Sequence, residues 1–283
     1  MTSILIITHE DHAQLALHLP ALLSQQGTEY EVVVVDMNSE DETPELLKSL
    51  EETHSHLRHL FLPSSARDIS RERLALHLGM RATIYARVLL IGADTHVTGT
   101  DWLANVEKRW RTDSKVMLIP TLRQRSKGIG DYLNAGHEAW CSSLHQKQAL
   151  RHGIFRAGNC LVGIDKELFL THTSPAHHLA LETGTMDIFV SQVANAYNTT
   201  LLTEKDLFPV RDAIKGLRRW KRKRLFNVEI CRHLQHPFKR HMSYILFCLS
   251  SIHRGSLPYL LIDLMSRLRW CFTSRKTFTK KHY

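Results

Sequence analysis

The stretch YEVVVVDMNSED, residues 30–41, decides the fold class of this chain. Its apolar run is rich in β-branched residues, too short for a helix and apolar on both faces, which is typical of a strand buried in a parallel sheet. The flanking segments DHAQLALHLPALLSQQ (11–26) and ETPELLKSLEETHS (42–55) repeat apolar residues at three- and four-residue steps, as amphipathic helices do. The sequence therefore predicts a helix, a strand and a helix in succession.

The same alternation extends in both directions from this strand. Helical spacing predicts helices at 68–83 and 99–111, and short β-branched runs predict strands at SILIIT (3–8), LRHLFLP (57–63), ARVLLIG (86–92) and KVMLIP (115–120). This order implies an α/β fold with a doubly wound, Rossmann-like, mostly parallel sheet. Ligands of such sheets bind beyond the carboxyl ends of the strands, so the segments to consider are Thr8–His12, Asp36–Asp41 and Gly92–His96.

The later part of the chain is predicted to be more helical, and its composition changes after Asp206. The predicted elements are a helix at 128–150, a strand and short helix at 155–170, a helix capped near Asn198 with a following strand at 184–202, a basic helix at 217–235, and apolar segments at 243–252 and 257–272. We therefore predict an α/β domain over residues 1–210 and a basic, amphipathic helical extension over residues 211–283.

The composition is that of a globular protein. The chain has 283 residues, of which 13 are Gly, 8 are Pro and 43% are hydrophobic, and this excludes a collagen-like or disordered polymer. No run of about eighteen apolar residues predicts a membrane-spanning helix, and the start MTSILIITHEDH lacks the features of a signal peptide. Five widely spaced cysteines without a Cys-x-x-Cys pair favour a reduced, cytosolic chain.

Charge is distributed unevenly along the chain. Residues 217–283 contain 16 Lys and Arg and 2 Asp and Glu, a net charge of +14, whereas the other 216 residues carry 21 basic and 26 acidic side chains, a net charge of −5. A basic tail on an acidic body indicates an anionic partner.

Three interpretations of this tail are open. It can bind anionic lipid headgroups with the apolar residues of 244–272 in the interface, bind nucleic acid with Trp220 stacked on a base, or form a solvated basic helix packed on the domain. The apolar runs flanked by Arg and Trp favour the membrane surface. No basic motif of a known nucleic acid reader is present, so we expect no nucleic acid partner.

Two carboxylates lie at the ends of predicted strands: Asp36 ends the strand 30–36, and Asp94 lies two residues beyond the strand 86–92. A carboxylate in this position can accept hydrogen bonds from a nucleotide, and one carboxylate together with a diphosphate is enough to hold Mg²⁺ or Mn²⁺. The alternative for both residues is a turn or a helix cap. The run His9-Glu10-Asp11-His12 offers ligand-type side chains but does not match a zinc motif.

Six segments taken together carry a family resemblance: SILIIT, LPALLSQQGTEYEVVVVDMNSEDET (19–43), LLIGADTHVTGTDWL (89–103), FRAGNCLVGIDKELF (155–169), GTMDIFVSQVA (184–194) and RRWKRKR (218–224). In order and spacing they resemble a family 2 glycosyltransferase of the GT-A fold over roughly residues 3–226. The resemblance implies transfer of a sugar from a nucleotide-diphosphate donor to an acceptor hydroxyl, with inversion at the anomeric carbon. The expected setting is the synthesis of a cell-surface glycan or glycolipid.

The resemblance also implies roles for particular residues. Nucleotide-sugar contacts are expected from Thr8, Glu10, Asp36, Ala93 and a phosphate-side Arg71 or Arg73; Asp94, matching the last carboxylate of an Asp-x-Asp motif, is expected to hold Mg²⁺ or Mn²⁺; and Asp187 is expected to be the general base. A cation on the diphosphate would stabilise the charge of the leaving group. A carboxylate within hydrogen-bond reach would take the proton of the acceptor hydroxyl.

The sequence departs from the family pattern at three positions. Met37 stands where a second Asp is usual, Gly92 replaces the first Asp of Asp-x-Asp, and Met186 occupies a position where an acid is usual, with Glu182 the next acid upstream of Asp187. These departures keep open a catalytically inactive, nucleotide-sugar-binding relative that acts as a scaffold or regulator.

The expected partners follow from these interpretations. They are a nucleotide-sugar donor, a glycan or lipid-linked acceptor, and an anionic membrane surface that the C-terminal segment contacts. The expected location is the cytoplasm, with peripheral association at the inner face of the cell membrane.

Overall fold

A computed structural model describes residues 1–63, 71–124, 129–154, 156–173, 185–213, 217–234 and 257–271. Glu182, the predicted apolar segment 243–252 and the start of the helix predicted from residue 68 lie outside these ranges. The strands, in chain order, are β1 (Thr2–Thr8), β2 (Tyr30–Asp36), β3 (Leu57–Phe61), β4 (Arg87–Gly92), β5 (Thr95–His96), β6 (Val116–Pro120), β7 (Leu122–Arg123), β8 (Cys160–Asp165), β9 (Thr199–Leu201) and β10 (Val210–Arg211).

The helices alternate with these strands in the first half of the chain and dominate the second half. In chain order they are α1 (His12–Leu23), α2 (Thr43–Thr53), α3 (Arg71–Ala82), α4 (Trp102–Arg109), α5 (Ile129–His152), α6 (Lys166–His172), α7 (Thr185–Val193), α8 (Leu217–His233) and α9 (Leu257–Cys271). The helix α7 ends at Val193, so the helix end predicted near Asn198 was wrong by several residues. Asn198 instead belongs to the turn that leads into β9.

The central sheet has seven strands in the order β3-β2-β1-β4-β8-β6-β9. The first four strands are mutually parallel, and β9 is parallel to β6. Strand β8 runs antiparallel to both of its neighbours, β4 and β6. The predicted α/β class and the mostly parallel, doubly wound sheet are confirmed.

Burial explains why the β2 segment forms an interior strand of the sheet. Val32 to Val35 are each fully buried, because residues on both faces of the strand are covered. The next helix begins where the sequence indicates, since Pro44 lies in its first turn, where the missing N–H of proline has no intrahelical partner to lose. The backbone N–H of Thr43 donates to the carboxylate of Asp41 at 3.0 Å, which completes the start of α2.

The chain divides into two compact units. The first comprises Met1–Thr121, Cys160–Thr183 and Tyr197–Arg211, and it contains the seven-stranded sheet. The second comprises Leu122–Asn159, Gly184–Ala196 and Asp212–Tyr283. The last stretch of the second unit begins next to the boundary predicted at residue 211, and the unit also takes in two earlier segments that the sequence assigned to the α/β domain.

The helices α5, α8 and α9 pack together in the second unit around aromatic rings. The ring centroid of His137 lies 6.0 Å from that of Trp140, 6.0 Å from that of Trp220 and 6.4 Å from that of Tyr259. The guanidinium of Arg224 lies 3.7 Å from the centroid of Trp220. Trp220 is therefore a core residue, and its burial removes it from the role of a base-stacking platform.

The helix α9 has an apolar row on its solvent side. Four of its residues are between 47% and 66% exposed and recur at helical spacing: Leu257, Leu261, Met265 and Leu268. Leu260 is buried and packs with Leu144. Within the described ranges, no helix is both long enough and apolar enough to cross a bilayer.

Candidate functional site

Three sequence-predicted segments meet at one edge of the sheet in the first unit. Thr8 pairs with Asp36 in the register of β1 and β2, and Ile7 pairs with Gly92 in the register of β1 and β4. The carboxyl ends of these parallel strands therefore lie side by side. This arrangement brings together the loops after Thr8, Asp36 and Gly92, as the sequence predicted.

The loop after β1 is organised by Asp11. The Thr8 hydroxyl donates to Asp11 Oδ2 at 3.0 Å, and the His9 backbone N–H donates to the same oxygen at 3.2 Å. Burial raises the pKa of the Asp11 carboxyl, the charge of Asp94 raises it further, and the two hydrogen bonds oppose both effects. Asp11 is thus close enough to Asp94 for their charges to interact. The sequence did not predict this proximity, although the position of Asp11 shortly after a strand end could have indicated it.

Glu10 connects the loop after β1 with the loop after β2. It has a φ of 57°, and its N–H donates to Ser39 Oγ at 2.9 Å. Its carboxylate accepts the backbone N–H of Glu40 at 2.7 Å. The structure therefore gives Glu10 a loop-ordering contact, and its predicted contact with a nucleotide stays a prediction.

Asp36 is buried and caps the turn that follows β2. Its Oδ1 accepts the Ser39 N–H at 3.0 Å and the Ser39 hydroxyl at 2.6 Å. Asn38, in the same turn, has a φ of 60°, in the left-handed region that Asn tolerates better than most residues. The turn-forming alternative for Asp36 is therefore realised, and any nucleotide contact would come in addition to it.

The two candidate phosphate-side arginines differ in accessibility. The Arg71 guanidinium donates to the carbonyl oxygen of Met37 in the loop after β2, and its side chain is partly exposed. Arg73 is only 2% exposed, and burial lowers the pKa of its guanidinium. The geometry favours Arg71 over Arg73 as the residue that could meet a phosphate at the sheet edge.

Asp94 forms an ion pair that the sequence did not predict. Arg211 donates to Asp94 Oδ1 through Nε at 2.9 Å and through Nη2 at 2.7 Å, and the two side chains are 29% and 28% exposed. The pair forms because β10 runs antiparallel to β5, which sets Arg211 opposite Thr95. Ala93, the other predicted donor-side residue of this loop, is buried beside it.

The ion pair explains why position 92 has no side chain. A Cβ atom built on Gly92 would lie 2.8 Å from Asp94 Oδ1 and 3.1 Å from Arg211 Nη2. An aspartate at this position would displace one of the two charged groups. The departure from Asp-x-Asp at Gly92 and the presence of Arg211 are therefore two parts of one local arrangement.

The loop after β4 offers a single carboxylate, Asp94, to a metal, so a metal there would depend on the donor diphosphate for further ligands. Across the described ranges, no group of three or more His, Cys, Asp or Glu side chains could hold a metal ion. The carboxylate predicted to hold Mg²⁺ or Mn²⁺ already accepts two charge-assisted hydrogen bonds from Arg211. A cation at Asp94 Oδ1 would have to compete with the guanidinium for that oxygen, and a cation at either oxygen would lie beside the positive charge of Arg211.

Asp187 lies in the second unit, in the first turn of α7. Its Oδ1 accepts the Gly158 backbone N–H at 2.8 Å and lies 3.1 Å from Arg156 Nε. Its side chain is 12% exposed, and no hydrogen bond joins Oδ2 to another residue of the described ranges. One carboxylate oxygen is thus anchored, and the other is available to a ligand. Arg156 is a second residue that the sequence analysis missed.

Gly158 allows this anchoring. It has a φ of 62°, and a Cβ atom on it would lie 2.6 Å from Nδ1 of His145. Any side chain here would be strained in its backbone conformation and would collide with the imidazole ring. The buried His145 therefore fixes the segment that presents its N–H to Asp187.

Comparison with known proteins identifies the family. The sequence model of Glycosyl transferase family 2 matches residues 3–172, more than half of the chain. The curated proteins searched contain no significant match.

Solved structures show the same fold at low sequence identity. The mannosyltransferase PcManGT from Pyrobaculum calidifontis, in complex with GDP-Man and Mn²⁺, is 17% identical with a TM-score of 0.63 over 95% of this chain and 75% of that one. S. aureus TarS 1–349 is 14% identical with a TM-score of 0.56 over 95% of this chain and 80% of that one. The same TarS fragment in complex with UDP-GlcNAc has a TM-score of 0.54 at 15% identity over 95% and 81% of the two chains.

The sheet order, the strand-end loops and the matched family model agree. The fold is that of the GT-A glycosyltransferases, and the chain belongs to glycosyl transferase family 2.

Proposed function

We propose that this protein transfers a sugar from a nucleotide-diphosphate donor to an acceptor hydroxyl with inversion, in the synthesis of a cell-surface glycan or glycolipid. The observation that carries the proposal is the strand-end cluster of Thr8, Asp36 and the Asp94–Arg211 pair in a chain of this family. Support for the donor class comes from the similar structures, one of which binds GDP-Man and another UDP-GlcNAc.

The proposed chemistry is a single displacement. The acceptor oxygen forms a bond to the anomeric carbon while the bond from that carbon to the diphosphate oxygen breaks, so the configuration inverts. Oδ2 of Asp187 takes the acceptor proton, and the nucleoside diphosphate leaves with the electrons of the broken bond. Positive charge near the diphosphate stabilises the leaving group as its charge grows.

The predicted cofactor, Mg²⁺ or Mn²⁺, would neutralise the diphosphate if it were bound there. PcManGT was solved with Mn²⁺, which supports the prediction. The ion pair of Asp94 with Arg211 speaks against it for this chain, as described above. We therefore assign no step of the proposed reaction to a metal.

A panel of nucleotide sugars tests the function directly. We expect at least one of GDP-, UDP- and ADP-linked sugars to raise the melting temperature of the full chain, because a ligand that binds only the folded state stabilises it by mass action. Incubation of that donor with acceptor extracts should release the free nucleoside diphosphate, measured by chromatography. Donor binding without release of the nucleoside diphosphate would favour the catalytically inactive scaffold. If no donor raised the melting temperature, both the enzyme and the scaffold would be contradicted.

We further propose that the C-terminal part of the chain rests on an anionic membrane surface, at the inner face of the cell membrane. The supporting observations are the net charge of +14 over residues 217–283 and the outward apolar row of α9. A helix with an exposed apolar row next to basic segments suits the lipid interface, where leucines enter the acyl boundary and basic side chains reach the headgroups.

Substitutions on α9 test this membrane proposal without truncating the chain. Removal of residues from 217 onward would also remove the buried Trp220, so point variants are cleaner. We expect the double variant Leu261→Glu, Met265→Glu to lose at least ~10-fold in co-sedimentation with anionic vesicles, since each buried leucine contributes about 1.5–3 kcal/mol. The matched control is Leu17→Glu, which replaces an equally exposed leucine of α1. Equal sedimentation of all three proteins would leave α9 as a solvated helix.

A further inference from the structure

We propose that Arg211 supplies the positive charge that the donor diphosphate meets in this chain, so that donor binding does not depend on Mg²⁺ or Mn²⁺. The proposal rests on the proposed nucleotide-sugar function and assigns one of its binding residues. It concerns the first unit alone, where Arg211, Asp94 and the carboxyl ends of β1 and β4 belong together.

The guanidinium is held in a fixed orientation with part of its donor set unused. Both of its hydrogen bonds, from Nε and Nη2, fall on the single oxygen Oδ1 of Asp94. Within the described part of the chain, Nη1 donates to no other residue. The side chain is 29% exposed, so a ligand can reach it. A planar guanidinium with free N–H groups is well suited to the paired oxygens of a phosphate.

The surrounding charges require a cation at this place. Burial raises the pKa of the Asp11 carboxyl, and the charge of the nearby Asp94 raises it further. A diphosphate that approached these two carboxylates without a compensating positive charge would be repelled. Arg211 provides that charge permanently, because a guanidinium stays protonated at every physiological pH.

The same arrangement leaves little for a divalent ion to bind. Gly92 provides no ligand, and a side chain there would collide with Asp94 and Arg211. The remaining carboxylate, Asp94, is already bonded to Arg211 by two charge-assisted hydrogen bonds. A metal on Oδ1 would displace the guanidinium, and a metal on the other oxygen of the same carboxylate would be repelled by the charge of Arg211.

Titration calorimetry with UDP, GDP and ADP, first in EDTA and then with Mn²⁺, tests the proposal. We expect the nucleotide that binds to do so in EDTA with an affinity within ~3-fold of that with Mn²⁺. Arg211→Gln should lower the affinity in EDTA by ~10-fold or more, the size of a lost charge-assisted hydrogen bond. Arg211→Lys, which keeps the charge but not the planar fork, should lose less. The matched control is Arg109→Gln, because Arg109 pairs with Glu204 at 3.0 Å and is similarly exposed.

Asp94→Asn separates the two cation models by the sign of its effect. If Arg211 is the cation, the loss of a negative charge beside the diphosphate should strengthen binding in EDTA by ~3-fold. If a metal at Asp94 is the cation, the same variant should abolish Mn²⁺-dependent binding. Binding that requires Mn²⁺ and is lost in Asp94→Asn would overturn the proposal and leave the glycosyltransferase function standing. No binding under either condition would count against the proposed function, and the role of Arg211 would fall with it.

Discussion

Replacement of Asp187 by Asn is expected to lower the turnover of sugar transfer by ~10²-fold or more, with donor affinity nearly unchanged. The amide oxygen of Asn can still accept the Gly158 N–H, so the anchoring contact of Asp187 Oδ1 at 2.8 Å is retained. The amide group cannot accept the acceptor proton as a carboxylate does. Turnover should therefore fall while donor affinity stays nearly the same. Initial rates at saturating donor measure the turnover, and calorimetry measures donor binding.

A matched aspartate distinguishes catalysis from structural support. Asp165 also accepts a backbone N–H, that of Leu168 at 3.0 Å, and also pairs with a cation, Lys115 at 2.9 Å. Asp165→Asn should cost some stability and leave turnover within about twofold, the ordinary scale of a surface cap and ion pair. Similar rates for wild type and Asp187→Asn would identify Asp187 as a holder of the Gly158 segment and favour the inactive relative.

The sheet was predictable from the sequence because its strands carry local signals. The run at residues 32–35 is apolar on both faces, and in the structure it is fully buried between two parallel neighbours, β3 and β1. The position of β8 was not predictable in the same way. Its own pattern indicates a strand but not its direction, which is set by pairing with β4 and β6. Pairing partners distant in sequence leave no mark in the strand itself.

In the candidate site, too, contacts between residues close in sequence were predictable, and contacts between distant residues were not. Asp36 was predicted to lie at a strand end, and its turn-forming contacts involve Ser39, three residues away. The partner of Asp94 is Arg211, 117 residues further along, in a two-residue strand without a periodic pattern. The sequence could therefore show that a carboxylate stands at the sheet edge, but not that a guanidinium is bonded to it. The only hint in the sequence was Gly92, because the absence of a side chain there leaves room for the Asp94–Arg211 ion pair.

The free energy of unfolding is expected to fall by about 3 kcal/mol between pH 6.5 and pH 5, owing to two buried histidines of the second unit. Burial lowers the pKa of His145 to about 3, and the charge of Arg156 acts in the same direction. Burial likewise lowers the pKa of His137 to about 4, with Arg224 adding to the effect while Asp263 and Glu138 oppose it. Both imidazoles therefore stay neutral in the folded protein at pH 5, where the unfolded chain protonates them.

The sign of the effect follows from proton uptake by the unfolded state. Well above pH 6.5 neither state binds these protons, and the stability is complete. Well below it the unfolded state is stabilised by about 1.4 kcal/mol per histidine for each pH unit, until the folded pKa is reached. The loss is a large share of a typical stability of about 5–15 kcal/mol. Urea unfolding at pH 7.5, 6 and 5 measures it directly.

Variants of the two histidines test whether these side chains cause the pH dependence of the free energy of unfolding. His145→Gln and His137→Gln should each remove roughly half of the pH dependence between pH 6.5 and 5, whatever their stability at pH 7.5. The effect bears on catalysis as well, because His145 packs against Gly158, whose N–H holds Asp187. Acid charges His145 only where the chain around it unfolds, so turnover should fall together with the folded fraction of the second unit. A pH dependence that is the same in wild type and in His145→Gln would show that other groups carry it and that the imidazole does not hold the base in place.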